Sequence, residues 1–173
     1  MTKAKGKKRK DPKVFAVQVI ILLTVMYVAG NYVGNRFRLG IDDQLAPCLP
    51  FKYYIIDMAD KTIPRDGFLA FRSDSRMGPW YEEGTLFIKQ VRGIEGDKIE
   101  VKEGNVFVNG EPAGFFDRNI LEKIEKAPKD LNRDEIVPPE ALWAMGTSPD
   151  SFDSRYWGYI KQEQVAGQVY PLF

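Results

Sequence analysis

The chain has 173 residues, 44% of them hydrophobic and 13% aromatic, and these values are typical of a folded domain rather than a disordered chain. It contains one cysteine and no histidine, which excludes an intramolecular disulfide, a catalytic site with a histidine base and a zinc site of cysteine and histidine ligands. Any general base must therefore be a Lys, Asp, Glu or Tyr side chain. We expect no cofactor and no metal.

Charge is distributed unevenly along the chain. Residues 1–13, a basic tail, contain seven Lys or Arg residues and one acid, a net charge of +6. The whole chain has a formal net charge of +1, so the remainder carries −5. A weakly acidic body with one basic tail is not typical of a protein that binds nucleic acid, and nucleic acid is not expected as a partner.

An uncharged segment of 22 residues, 14–35, follows the basic tail. As a helix it would be about 33 Å long, which is close to the hydrocarbon thickness of a bilayer. The positive-inside rule then predicts a single-pass protein of the inner (cytoplasmic) membrane, with its N-terminus in the cytoplasm and residues 36–173 in the periplasm. The alternative is a cleaved signal peptide, but the apolar run is longer than a usual signal core and no clear cleavage site follows it.

Short strand-like segments separated by turn residues make up most of the remaining chain. Residues 36–50 are predicted to be a polar linker, Glu103-Gly104-Asn105 a tight hairpin turn, and 117–135 helical or irregular, within a variable insert near 112–136. The pattern predicts a mainly β fold, in which an N-terminal transmembrane helix precedes a compact antiparallel β-domain. The predicted strands are Tyr53–Asp57, Phe68–Arg72, Leu86–Arg92, Lys98–Lys102, Asn105–Val108, Leu142–Met145 and Gln168–Leu172.

Lys89 is the first candidate functional residue, because it lies in an apolar strand. Alternate side chains of a strand share a face, so Lys89 is expected beside Phe87 and Val91. Burial disfavours the charged form of a lysine and makes it a suitable general base near neutral pH. The alternative is a lysine whose ammonium group reaches water at the rim of the sheet, and the local pattern alone favours that commoner behaviour.

Cys48 is the second candidate, and it lies between Pro47 and Leu49-Pro50 soon after the apolar segment. A single cysteine is most often a small buried hydrophobic residue, and by itself the residue type favours that interpretation. A segment bounded by two prolines, however, is a poor place for a core residue. It is a good place for a fixed, exposed nucleophile.

Several segments resemble, in order, the sequence boxes of the signal peptidase I (S26) family. Phe87–Asp97 resembles the general-base box, and the stretch D-S-R-Y-W-G at 153–158 closely matches the last box. Residues 63–72 resemble a family strand of the form R-G-D-x-V-x-F. Pro47–Tyr54 occupies the nucleophile box, and its C-L-P spacing is most similar to that of the conjugal-transfer pilin-maturation peptidases. The resemblance implies a β-domain of the signal peptidase I type.

The resemblance also implies a role for each site residue. Cys48 takes the place of the nucleophilic serine and Lys89 is its base, so that an acyl-enzyme forms as a thioester. Ser151 resembles the residue that positions the lysine, and Asp153 and Arg155 resemble a supporting ion pair near the site.

The implied function is a membrane-anchored endopeptidase that processes an exported precursor. A conjugative pilin is the expected substrate, and other components of a type IV secretion system are compatible partners. Family substrates bind as extended strands with small residues before the cut. Hydrolysis and cyclisation both remain open as the way in which the acyl-enzyme is resolved.

The chain departs from the family pattern at three places. Cys48 replaces the serine, Ala46 stands where the family often has a hydroxyl residue, and Thr147-Ser148-Pro149 replaces the family's D-N-R. One alternative is therefore a non-catalytic paralogue that acts as an assembly or interaction protein. Others are an engineered replacement of serine and a membrane-tethered binding module, although the latter does not explain the ordered boxes. An idle buried lysine would cost stability, which favours an enzyme.

Overall fold

The computed structural model describes residues 11–43, 47–78 and 80–172, and the chain divides into two units between Arg36 and Phe37. The first unit contains helix α1, Pro12–Arg36, which is long and apolar enough to cross a membrane. Polar side chains within it bond to its own backbone, as when Asn31 donates to the Tyr27 carbonyl at 2.9 Å. The helix includes the segment predicted as the anchor; anchoring itself stays a prediction.

The second unit is a β-domain of two antiparallel sheets. The order of the seven-stranded sheet is β1-β2-β11-β3-β4-β9-β10, and that of the four-stranded sheet is β7-β6-β5-β8. Two short helices, α2 (Arg118–Lys123) and α3 (Ser154–Trp157), accompany them. The strands are β1 Phe37–Ile41, β2 Tyr53–Asp57, β3 Phe68–Arg72, β4 Leu86–Ile94, β5 Lys98–Lys102, β6 Asn105–Val108, β7 Glu111–Phe115, β8 Arg133–Ile136, β9 Ala141–Met145, β10 Ile160–Lys161 and β11 Val165–Pro171.

The predicted fold class is confirmed. Strands β2, β3, β5 and β6 have the bounds that the sequence predicts, whereas β4 extends two residues further, β9 begins one residue earlier, and β11 begins three residues earlier and ends one residue earlier. The turn between β5 and β6 is also confirmed: Lys102 pairs with Asn105, and Glu103 (φ 52°) and Gly104 (φ 84°) both have positive φ. Two consecutive residues with positive φ define the type I′ turn that matches the twist of a hairpin.

The prediction of a polar linker over residues 36–50 is wrong where β1 lies. This strand pairs along its length with β2, from Phe37 with Asp57 to Ile41 with Tyr53. Its side chains are mostly exposed, so no buried face marks it in the sequence. Pairing with a neighbouring strand determines its conformation, and that neighbour is distant enough in the chain to leave no local signal. Residues 44–46 of the predicted linker lie outside the described residues.

The prediction of a helical or irregular stretch over residues 117–135 is correct as far as Asn132 and wrong for the last three residues. Asp117 caps α2 by accepting from the backbone N–H groups of Asn119 and Ile120. The stretch ends, however, in strand β8, whose sequence R-D-E-I is mostly exposed and pairs with β5. Charged side chains suit a strand at the edge of a sheet, and they conceal it from a search for alternating apolar residues.

Buried apolar side chains form two clusters. The larger one takes residues from both sheets, with Trp143 and Ile99 fully buried in it. The smaller one lies around β2, β3 and β11 and includes Leu49, whose side chain is 4% exposed. Because Leu49 follows Cys48 directly, this second cluster anchors the segment that carries the cysteine.

Candidate active site

Lys89 lies in the middle of β4 with its side chain inside the domain. The residue is 3% exposed, and its partner in β3, Leu69, is fully buried. The Lys89 Nζ donates to Ser151 Oγ at 2.7 Å. The side chain therefore does not reach water at the rim of the sheet, and the interpretation that the local pattern favoured is wrong. The packing of β4 against β3 buries the Lys89 side chain, and the local sequence pattern does not indicate that burial.

Ser151 is fully buried, and the chain before it makes a close approach at Gly146. A Cβ atom added at Gly146 would overlap the Ser151 side chain and would lie 2.9 Å from the backbone oxygen of Cys48. Only glycine lets these three backbone segments lie so close together. The Gly146 N–H donates to Asp153 Oδ2 at 2.8 Å, which holds the glycine in place.

Asp153 and Arg155 form an ion pair that is inaccessible to solvent. Arg155 Nη2 lies 2.7 Å from Asp153 Oδ2, and the two residues are 2% and 0% exposed. Burial alone would lower the pKa of Arg155, but the hydrogen bonds and charge of Asp153 outweigh that effect and raise the pKa, so the guanidinium stays charged. Its remaining N–H groups donate at 2.7–3.2 Å to the carbonyls of Phe115, Ser148, Pro149 and Ser151.

Cys48 is partly exposed and docks onto the loop that Arg155 holds. Its carbonyl oxygen accepts hydrogen bonds from the backbone N–H groups of Thr147 at 2.9 Å and Ser148 at 3.3 Å. The segment with the cysteine, the loop before Ser151 and the lysine strand are thus tied to one another. The structure brings together the five site residues predicted from the sequence; their roles stay predictions.

A cavity of about 450 Å³ contains both Cys48 and Lys89 in its lining. Its other walls come from β1 and the two residues after it, from β4, and from aromatic side chains that include Tyr81 and Phe152. Within the described residues, β9 pairs with Gln90–Ile94 of β4 but not with Leu86–Lys89. One backbone edge of β4 therefore lies open where the strand lines the cavity.

Sequence reasoning missed two residues of this site. Gly146 is one, and its close approach to Ser151 depends on a loop whose path the local sequence does not determine. Tyr81 lines the cavity from the loop between β3 and β4, where an aromatic residue beside Trp80 has no periodicity to indicate its position. In the described ranges, no three His, Cys, Asp or Glu side chains are arranged to hold a metal ion.

Comparison with known proteins supplies a family. The family model described as signal peptidase, peptidase S26, matches residues 13–173. A probable signal peptidase I-2 of Synechocystis sp. is 33% identical over 89 residues, which cover 50% of this chain but only 38% of the cyanobacterial protein. The chain thus spans about two fifths of that relative's length. A signal peptidase I of Bacillus caldolyticus is 26% identical over 179 residues, covering 98% of this chain and 92% of that protein.

One solved structure is also similar, a signal peptidase I from Enterococcus faecalis. It is 24% identical, with a TM-score of 0.39, over 63% of this chain and 97% of that one. At that score the likeness adds nothing to the sequence comparison.

Proposed function

The chain belongs to the signal peptidase (peptidase S26) family, and from that premise we propose that it is an endopeptidase that cleaves exported precursor proteins, with Cys48 as nucleophile and Lys89 as general base. One observation carries the proposal. The buried Lys89 nitrogen, held 2.7 Å from Ser151, belongs to a side chain that lines the same cavity as Cys48. Burying a lysine that has one hydroxyl partner costs stability, and a catalytic role for Lys89 gives a reason for that cost.

The proposed reaction begins when Cys48 transfers its proton to Lys89 and its sulfur attacks the carbonyl carbon of the scissile bond. The leaving amine takes a proton from Lys89, and a thioester remains on Cys48. Water then attacks the thioester, Lys89 removes a proton from that water, and the acid product leaves with the thiol restored. Ser151 holds the lysine nitrogen in place through both steps, and the Asp153–Arg155 pair holds the loop that carries Ser151.

Substrate binding as an extended strand is the second part of the proposal. The open edge of Leu86–Lys89 offers backbone groups with which a peptide segment forms additional β pairing. The aliphatic lining from β1, β2 and β4 favours small apolar side chains next to the cut. The C-L-P spacing at Cys48 supports a pilin precursor of a conjugative system as the substrate.

The location of the reaction is the third part. Helix α1 is long and apolar enough to anchor the chain in a membrane, and seven basic residues precede or begin it. The positive-inside rule then keeps the N-terminus in the cytoplasm and the β-domain in the periplasm, where exported precursors emerge.

The direct test is co-expression with the candidate pilin precursor, followed by measurement of the precursor's mass. We expect processing by the wild type and none by Cys48→Ala, and the product mass distinguishes hydrolysis from cyclisation. Processing by Cys48→Ser alone would identify a disabled nucleophile. An unprocessed precursor with every variant would favour a wrong substrate or the non-catalytic paralogue.

The base is tested separately with Lys89→Arg. Arginine keeps a positive charge at every accessible pH and cannot accept the cysteine proton, so we expect no processing. Lys61→Arg is the matched control, because Lys61 lies outside the cavity. Wild-type turnover by Lys89→Arg would remove this lysine from the mechanism.

A further inference from the structure

Addition of a thiolate to a carbonyl places negative charge on the carbonyl oxygen, and catalysis requires hydrogen-bond donors aimed at that atom. The backbone N–H of Cys48 is one such donor. The two residues before Cys48 offer neither a proline N–H nor a side-chain donor to the carbonyl oxygen, because Pro47 has no backbone N–H and Ala46 has no polar side chain. A second donor must therefore come from elsewhere in the cavity.

Side-chain donors around the cavity are few, and most are already committed. Tyr54 and Thr85 each donate to a backbone carbonyl at 2.6 Å, and Lys89 is the proposed base. Arg38 and Tyr81 also line the cavity, and within the described residues neither donates to a protein group. The choice of donor lies between these two side chains.

The Tyr81 ring packs against aromatic residues that lie close in the chain to Lys89 and to Ser151. Its ring meets Phe87 edge-on at a centroid distance of 4.8 Å, and Phe87 is two residues before the lysine. The ring also stacks on Phe152 at 6.3 Å, and Phe152 follows Ser151 directly. Aromatic packing of this kind restricts the direction of the phenol without using its hydroxyl group.

Tyr81 and Cys48 line the same cavity, and this places the phenol on the side of the cysteine. Burial raises the pKa of Tyr81. The raised pKa also keeps the phenol protonated, so that it remains a donor at neutral pH.

We propose that Tyr81 is a further catalytic residue, whose hydroxyl donates a hydrogen bond to the carbonyl oxygen of the scissile bond while Cys48 adds to that carbonyl. The proposal rests on the proposed nucleophile. As the bond from sulfur to carbon forms, the π electrons of the carbonyl move onto oxygen, which accepts hydrogen bonds from Tyr81 and from the Cys48 N–H. When the leaving group departs with the electrons of its own bond to carbon, the carbonyl forms again and the thioester remains.

The test compares two reactions of Cys48 in the detergent-solubilised full chain. Acylation by acetyl-Ala-Ala-Ala p-nitrophenyl ester passes through an oxyanion and releases nitrophenolate, whereas alkylation by iodoacetamide forms no oxyanion. We expect Tyr81→Phe to slow the acylation step about 100-fold with KM unchanged, and to leave the alkylation rate within about twofold of wild type. The phenylalanine ring keeps the packing on Phe87 and Phe152.

Three further variants keep the outcomes distinct. Tyr170→Phe removes an exposed hydroxyl outside the cavity and should react as wild type does in both assays. An unchanged acylation rate in Tyr81→Phe, equal slowing of both reactions, or loss of acylation in Arg38→Gln alone would each overturn the assignment to Tyr81. Nitrophenolate release by wild type that is no faster than by Cys48→Ala would instead overturn the nucleophile itself.

Discussion

Asp153–Arg155 and Asp97–Arg65 are carboxylate–guanidinium pairs of the β-domain that have similar geometry and different burial. Asp153–Arg155 is closed to solvent on both sides at 2.7 Å, whereas Asp97 is buried but Arg65 is half exposed, at 2.9 Å. Each aspartate also accepts a backbone N–H, from Gly146 in the first pair and from Ile94 in the second.

The two ion pairs differ in burial, and they have different roles in the domain. The half-exposed pair joins the turn before β3 to the link between β4 and β5, and water solvates the guanidinium whenever the pair opens. Water cannot solvate the enclosed Asp153–Arg155 pair in this way. Its arginine also supports the loop that carries Ser151. Removing one partner there leaves a buried charge uncompensated.

The largest expected effect is that of Arg155→Met. We expect the unfolding free energy to fall by about 3–5 kcal/mol because Asp153 becomes an unpaired buried charge. Urea unfolding of the purified chain, followed by tryptophan fluorescence, measures the change. Arg118→Met is the matched control, since Arg118 forms an exposed helical ion pair and should change the stability by less than about 0.5 kcal/mol. Equal losses in the two variants would remove the distinction by burial.

Gly146→Ala tests whether the enclosed pair serves the site as well as the fold. The added methyl group would overlap Ser151, so we expect Cys48 acylation to slow about 100-fold while the chain remains folded. Gly167→Ala is the control, because its methyl group would overlap the Asp57 backbone, away from the cavity. That variant should lose stability and keep the acylation rate of its folded fraction. A comparable loss of rate in both would mean that general destabilisation explains the effect.

The smallest effect is expected from Arg65→Ala, at about 1 kcal/mol or less near neutral pH. Burial raises the pKa of Asp97, but hydrogen bonds from Arg65, Asn109 and the Ile94 N–H outweigh it, and the pKa is lowered overall. A carboxyl group with a lowered pKa stabilises the fold above its unfolded value, about 4, and that contribution disappears as pH falls through the folded pKa.

The pH dependence sharpens this last comparison. The stability difference between wild type and Arg65→Ala should stay constant from about pH 5 to 8 and shrink below about pH 4. Urea unfolding across this range measures it, with Asp97→Asn as the reference that lacks the titrating group. A difference that persists at the lowest pH would assign the effect of Arg65 to packing rather than to the ion pair.

Much of the β-domain was predictable because local rules govern it. The Glu103-Gly104 turn requires two residues with positive φ, and the apolar face of β4 follows from simple alternation. Strands β1, β7, β8 and β10 were not predicted. In β1 and β8 the exposed side chains leave no alternating pattern, and pairing with a neighbour determines their conformation.

The sequence by itself determined seven of the strands, the apolar helix before them, and the family motifs with Cys48 and Lys89. Only the tertiary structure decided that the lysine nitrogen meets Ser151, 62 residues further along the chain, rather than water. The physical reason is that this contact depends on the path of the loop that carries Ser151. Arg155 holds that loop by donating hydrogen bonds to several of its carbonyls, and Gly146 allows the close approach. Distances of that kind arise from packing, which no local pattern of residues specifies.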